Sequence, residues 1–309
     1  MLQYIFQRIL MIIPIMLGVS VIVFLLMEIT PGDPVTIMLG ERAPEEQRLI
    51  LRERLGLDKP APERYVIWIS NVVQLDLGRS IRSNRPVLDE IKARMGPTFE
   101  LALIATAFAV MLGIPIGVIS ATRPNSFADH IFTLLSFLGL AMPVFWQGLM
   151  MMLLFSYTWK LFPVSGRGDG WEYYVLPAIA LGTGALASIV RMTRSTLLDS
   201  LSQDYVRTAR SKGVGEQKVV YFHALRNALI PVVTVIGLQF GGLLAGAVIT
   251  ETIFAWPGIG RYAVDSIRAK DFPAVQGVVL VFALSYAVVN LIVDVLYAFL
   301  DPRLRVRYG

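Results

Sequence analysis

Crossing the hydrocarbon core of a bilayer takes about 20 mostly apolar residues, and the backbone groups of such a segment must be bonded within the protein. Six runs of this chain reach or approach that length: 9–29, 101–121, 131–155, 174–191, 228–249 and 274–300. They point to an all-α integral membrane protein with six transmembrane helices. The fourth run is the shortest and holds Pro177, Gly182 and Gly184, which makes it the weakest span. The chain is 55% hydrophobic and 17% charged, whereas soluble domains carry roughly 25% charged residues. Its mean hydropathy is +0.61.

The first run reads as an uncleaved anchor. Its apolar core exceeds a signal-peptide core, and no small-x-small cleavage site comes before Pro31. With the N-terminus in the cytoplasm, the inner segments hold Arg8, Arg123, Arg191, Arg194, Arg207, Arg210, Lys212, Lys218, Arg226, Arg303, Arg305 and Arg307. The short outer loops hold Lys160, Arg167, Arg261, Arg268 and Lys270. The excess of basic residues inside puts both termini in the cytoplasm. The chain then divides into an N-terminal span (1–29), a long external loop with short helices (30–96), a five-helix core (97–300) containing a cytoplasmic segment (195–227), and a cytoplasmic tail (301–309). In the loop, 44–57 sets Leu49, Ile50, Leu55 and Leu57 among charges, a pattern for a short amphipathic helix. Stretch 62–78 reads as a second, and 86–104 leads into the second span. Two readings of this loop stay open: a small external cap, or a docking surface for something delivered from outside.

Several chemistries are excluded. There is no cysteine, so no disulfide, thiolate metal site or Cys nucleophile. No Gly-Lys dipeptide occurs, so there is no phosphate-binding loop of the GxxxxGK[ST] kind, and an ATP-driven function must borrow a separate ATPase. The two histidines, His130 and His223, fall in cytoplasmic loops and form no HExxH site. No catalytic residue and no metal ligand is assigned. Ionisable residues inside spans mark transport or catalytic work, and this chain has few. Asp294, one turn after Asn290, is the clearest, and its place near the cytoplasmic end suggests a basic partner there. Glu28 and Glu251 sit at external span ends, where hydration is cheap.

Prolines recur in the spans at Pro14, Pro115, Pro143, Pro177 and Pro231, each able to kink a helix. In the fifth run Gly237 and Gly241 are four apart, as are Gly242 and Gly246, a spacing that lets helices approach closely. The neighbour is another span of this chain or a partner's helix. Gln239 on the same helix offers a polar side chain to a pathway.

The segment DYVRTARSKGVGEQKVVYFHALRNALIP (204–231) is basic and lies between the fourth and fifth runs. Asp204 suits the cap of a helix over 205–212, Arg210 and Lys212 complement its C-terminal dipole, and Gly213 suits the left-handed residue that ends it. Glu216 then sits in the first turn of a second helix running through Val219, Val220, Phe222 and Leu225. Val206, Ala209 and Val214 form an apolar side that needs cover. The cover is the chain's own spans or a cytoplasmic partner.

The run Thr208-Ala209-x-x-x-Gly213 resembles the cytoplasmic EAA-type loop of permease subunits from ATP-binding-cassette importers. Two positions depart from that pattern: Arg207 stands where the family has Glu, and Arg226 where it has Pro. TPGDP (30–34), RTARSKG (207–213), LRNALIPVVT (225–234), ETIFAWPGIGR (251–261) and VDVLYAFLDPR (293–303) resemble the dipeptide, oligopeptide and nickel branch of these permeases, and the likeness spans the whole chain. It implies a type I importer permease fold in a bacterial or archaeal cytoplasmic membrane. It also implies a second homologous permease subunit, two ATPase subunits that bind ATP and Mg, an extracytoplasmic substrate-binding protein, and no cofactor or nucleic acid on this chain. Carried over by residue, the coupling segment comprises Asp204, Tyr205, Arg207, Thr208, Ala209, Arg210, Gly213, Val214 and Arg226, with Ala209 and Gly213 allowing close approach to an ATPase groove. The function implied is ATP-driven import of dipeptides or oligopeptides. The same machine carrying nickel or another small solute is the nearest alternative. A stand-alone carrier or channel and a membrane enzyme fit less well, since buried charge and catalytic sets are scarce.

Overall fold

Five of the apolar runs fold as unbroken helices despite their prolines. They are α1 (Leu2–Ile29), α5 (Val87–Thr122), α8 (Glu172–Leu201), α11 (Leu225–Ile253) and α13 (Phe272–Leu300). The computed structural model describes residues 2–30, 33–40, 42–54 and 56–300. The expectations for Pro31 and Gly32 of TPGDP, for Leu55 and for the tail 301–309 lie outside the described residues, as do the surroundings of Gly246. Pro14, Pro97, Pro115, Pro177 and Pro231 each sit inside a helix that continues past them. In a membrane bundle, neighbouring groups compensate the lost hydrogen bond.

The third run departs from a single span. It forms α6 (Phe127–Ala141) and α7 (Val144–Met151), the latter prolonged by a π-helical turn, Met152–Thr158. The two parts meet at 106°. Pro143 has no N–H to donate and its ring disfavours helical backbone at the residue before it. Met142 accordingly turns extended, with φ −75° and ψ 125°. Among the described residues, five helices are therefore long and apolar enough to cross a membrane, and six if the bent pair is one span.

The weakest run lies at the centre. α8 packs on α5, α6, α7 and α11, so its side chains meet protein where the other spans expose apolar surface. That is why it has low hydropathy and many small residues. Its crossing with α5 is close: a methyl on Gly117 would lie 2.6 Å from Thr193, and one on Gly182 would lie 2.7 Å from the Ala105 carbonyl oxygen. α1, in contrast, is held at the rim by α13 and by the loop. Arg8 meets Asp294 at 3.1 Å, the basic partner expected for that carboxylate.

The loop forms α2 (Pro34–Leu39), α3 (Glu45–Arg54) and α4 (Ala61–Val73). α4 lies against α1, with the Tyr65 and Trp68 rings 5.4 and 5.9 Å from Phe24 and an ion pair between Arg64 and Glu28. The second span runs through the expected boundary at residue 97, since α5 starts at Val87 as one helix.

Glu251 corrects an expectation. It is 0% exposed rather than hydrated at a span end. Its carboxylate accepts from the Thr98 hydroxyl and from the Gly260 and Arg261 amides, the last at 3.0 Å. Those two amides open α12 (Ile259–Arg268), so the carboxylate serves as the anion that a helix N-terminus favours. The indole N–H of the fully buried Trp256 donates to the Pro97 carbonyl at 3.0 Å. ETIFAWPGIGR is thus a brace between α11, α12 and α5. A side chain at Gly260 would meet the Val248 backbone at 2.5 Å.

Over-packing a tight contact costs about 1–3 kcal/mol. Gly117→Leu is expected to lower the melting temperature in detergent. Gly18→Leu, at a position with open space around it, is expected to leave it unchanged in the same assay.

Candidate coupling surface

α8 leaves the bundle at Leu201, and the chain turns through Ser202 and Gln203 into α9 (Asp204–Ser211). The cap of α9 is Gln203, extended at φ −75° and ψ 152° and without a side-chain cap bond. Asp204 does not cap it. The backbone is already helical there, and the side chain points into solvent, 94% exposed, with Arg207 at 3.5 Å. Its charge still favours the helix N-terminus.

α9 has two faces. Val206 and Ala209 are buried among Val118 and Ala121 of α5, Leu197 of α8, and Val219, Val220, Ala224 and Ala228. The chain's own spans therefore cover the apolar side. Ala209 points inward, so its small size serves that contact and not an outward approach. Tyr205, Arg207, Thr208, Arg210, Ser211 and Lys212 are exposed.

The end of α9 is sharply defined. Gly213 takes φ +77°, the left-handed backbone that glycine adopts without strain. Its N–H reaches the Arg210 carbonyl at 2.9 Å, and the Val214 N–H reaches that of Ala209 at 3.3 Å, the paired closure of a Schellman turn. Val214 packs at the edge of the same apolar cluster. The Arg210 guanidinium grips Glu216 with two hydrogen bonds, of 2.7 and 3.1 Å. That carboxylate holds Arg210 above its ordinary pKa.

No separate second helix follows. α10 (Glu216–Lys218) passes through a π-helical stretch, Val219–Ala224, directly into α11. The wider turn lets Val219, Val220 and Ala224 all bury, while Phe222 stays 74% exposed. Arg226 lies exposed in the first turn of α11. α9 is thereby bracketed by α8 before it and α11 after it, both of them spans.

The sequence reading missed the ion pair that fixes α8 to the broken span. Asp129, buried near the start of α6, takes two hydrogen bonds of 2.7 Å from Arg194 of α8. It also accepts from the Asn125 N–H at 3.0 Å, while its own N–H donates to the capping Ser126 hydroxyl at 3.2 Å. A signal was present: Ser126-x-x-Asp129 before an apolar run is the pattern of a capped helix start. Beyond the elbow, Gln147 of α7 donates to Thr183 of α8 at 2.9 Å. α8 thus holds both halves of the third run.

The glycines of α11 divide. Gly237 lies against Val293 and Gly241 against Tyr286 and Val289, all on α13, whereas Gly242 has open space. Gln239 is half-buried. His130 and His223 are exposed, and no group of three or more His, Cys, Asp or Glu able to hold a metal occurs among the described residues. What this end of the molecule offers is an exposed, basic helix face joined to the spans.

Comparison with known proteins bears on the role of this face. Residues 113–306 match the model of a binding-protein-dependent transport system inner membrane component, and residues 1–102 match the N-terminal model of such membrane components. The dipeptide transport system permease protein DppB of Escherichia coli K12 is 45% identical, over 99% of both chains. The glutathione transport system permease protein GsiC of Pectobacterium atrosepticum is also 45% identical over 99% of each. Among solved structures, a chain of the inward-facing MetNI methionine ABC transporter superposes with a TM-score of 0.55 at 15% identity, covering 68% of this chain and 96% of that one.

Three substitutions test this end of the molecule. Val206→Asp places an unpaired charge in the apolar cluster and is expected to undock α9, seen as faster trypsin cleavage after Arg207, Arg210 and Lys212, whereas Val206→Ile is expected to cleave at the parent rate. Asp129→Ala strands Arg194, whose side chain is 32% exposed. Because that guanidinium can be partly rehydrated, the expected loss in a thermal melt is about 2 kcal/mol, the range for hydrogen bonds to a charged group.

Proposed function

The chain belongs to the binding-protein-dependent transport system inner membrane components, and from that premise we propose that it forms the transmembrane pathway of an ATP-driven importer of dipeptides and oligopeptides, with α9 as its coupling helix. The observation that carries this reading is the two-faced α9, pinned inward by Val206 and Ala209 and presenting a basic face outward between two spans. A helix held this way transmits a push to α8 and α11 together.

In this reading α9 lies on the cytoplasmic side and α2 to α4 outside. Two ATPase subunits, each binding ATP and Mg, dock on the coupling helices of this chain and of a second homologous permease. An extracytoplasmic binding protein delivers the substrate. Tyr205, Arg207, Thr208 and Arg210 face the ATPase groove, Arg226 lies beside it, and Gly213 and Val214 set the end of the helix. Where the family has Glu, Arg207 reverses the charge that the groove meets. Closure of the ATPases on ATP displaces α9. α8 then carries α6 and α7 with it through Arg194 and Thr183. This is a two-state element biased by a ligand. The relatives named for dipeptide and glutathione transport support short peptides as the substrate. The open face at Gly242 suits a helix of the second permease.

The test is Gly213→Glu in the reconstituted complex. ATP hydrolysis is expected to continue while binding-protein-dependent peptide uptake falls about tenfold or more, within the usual range of coupling between sites. Normal uptake contradicts the coupling assignment.

A further inference from the structure

At the end of the bundle opposite α9, a cavity of about 430 Å³ opens between the start of α5, the turn at 80–83 and the polar face of α12. That volume lies within the range of small-molecule sites. Its charged lining balances: Glu90, Asp265 and Asp271 against Arg82, Arg94 and Arg261. Some of these charges are fully committed. Asp271, buried, accepts from the Ser80 hydroxyl and from the Ile81 and Arg82 amides. Glu90, also buried, is paired with Arg94.

Other groups keep capacity. Asp265 and Arg261 stand 3.8 Å apart, a loose pair in which each is more than a third exposed. Arg82 is exposed at the rim. The Tyr262 hydroxyl is buried in the wall beside Ser266, which interacts with its oxygen, and its own O–H is not engaged by a bond of full geometry among the described residues. Burial raises its pKa, so it stays a proton donor. Its ring is fixed by the Arg94 guanidinium, 4.5 Å from the ring centre. The wall itself is rigid, because Pro257 and Gly258 belong to the turn braced by Glu251 and Trp256.

We propose that this cavity is a binding site for a short zwitterionic ligand, an amino acid or dipeptide, whose carboxylate is met by Arg82 and Arg261 and whose ammonium is met by Asp265, with the Tyr262 hydroxyl completing the contact. A ligand of one charge leaves the balanced lining with an unmatched group, whereas a dipolar ligand matches both signs. The cavity is a waiting site at the mouth of the pathway, where a peptide released by the binding protein is held before it enters. This rests on the importer reading above.

The experiment uses the assembled permease–ATPase complex in nanodiscs without binding protein, and calorimetric titration with Ala-Ala, N-acetyl-Ala-Ala and Ala-Ala amide. Ala-Ala is expected to bind saturably. Blocking either end, or making Asp265→Asn or Tyr262→Phe, is expected to weaken it about tenfold, the worth of one charge-assisted hydrogen bond. N-acetyl-Ala-Ala, lacking the ammonium, is expected to respond to Tyr262→Phe but not to Asp265→Asn. No saturable Ala-Ala binding, equal binding of the blocked forms, or variants that bind Ala-Ala as the parent does overturns the proposal. Unchanged melting temperatures show that the variants are folded. ATPase stimulation by binding protein plus peptide, measured on the same preparation, separates the two readings. Stimulation without Ala-Ala binding removes only the cavity assignment, and its absence removes the importer reading.

Discussion

The close crossing of α5 and α8 sets the separation on which the other contacts depend. Gly117 lets Thr193 into the groove of α5, and Gly182 lets the Ala105 carbonyl approach. Helix association in lipid gains little from hydrophobic exclusion, so it rests on such close packing and on hydrogen bonds between helices. With α8 drawn against α5, its far end brings Leu197 beside Val118 and Ala121, and those residues form the floor on which α9 sits. The same placement of α8 presents Arg194 to Asp129 and Thr183 to Gln147. The position of α9 and the attachment of the broken span therefore follow from one close helix crossing.

The ends of the molecule are built by different chemistry. Around α9 the fixing contacts are apolar, and the charges face solvent, as suits a surface that meets another protein. Around α12 an apolar seam, Ile259 and Ala263 against Val87 and Ile91, is joined by buried polar bonds. Glu251 binds the two amides that open α12, and Trp256 holds the carbonyl of Pro97, which sits at a proline in α5. That arrangement ties the outer wall to the helix on which α8 is packed. A displacement of α9 thus acts on spans whose far ends are braced.

Much of this was legible in the sequence. The apolar runs gave the spans, because burial in lipid leaves a composition signal in every residue of a segment. Gly213 and the basic last turn gave the end of α9, since only a local backbone rule is involved. Asp294 was correctly expected to meet a basic residue, found in Arg8. The elbow in the third run was not anticipated. Pro143 looks like the other span prolines, and only the packing on both sides decides whether a helix continues past one. Asp129 and Glu251 were missed or misread for another reason. A carboxylate near a span end reads as hydrated unless its partners are known, and those partners, Arg194 and Thr98, are distant in sequence. The second helix after Gly215 proved to be the start of α11, since a π-helical turn carries no strong composition signal.

The central claim is that the basic face of α9 contacts a separate ATPase while Val206 and Ala209 hold the helix to its own spans. The absence of cysteine makes a site-specific test direct. A single cysteine at Ser211, carrying a maleimide-linked benzophenone, is irradiated in membranes that contain the whole transporter. The account predicts a cross-link to an ATPase subunit, and none when the cysteine replaces Asn71 on α4, at the opposite end. Cross-linking to the ATPase from Asn71, or none from Ser211, contradicts it.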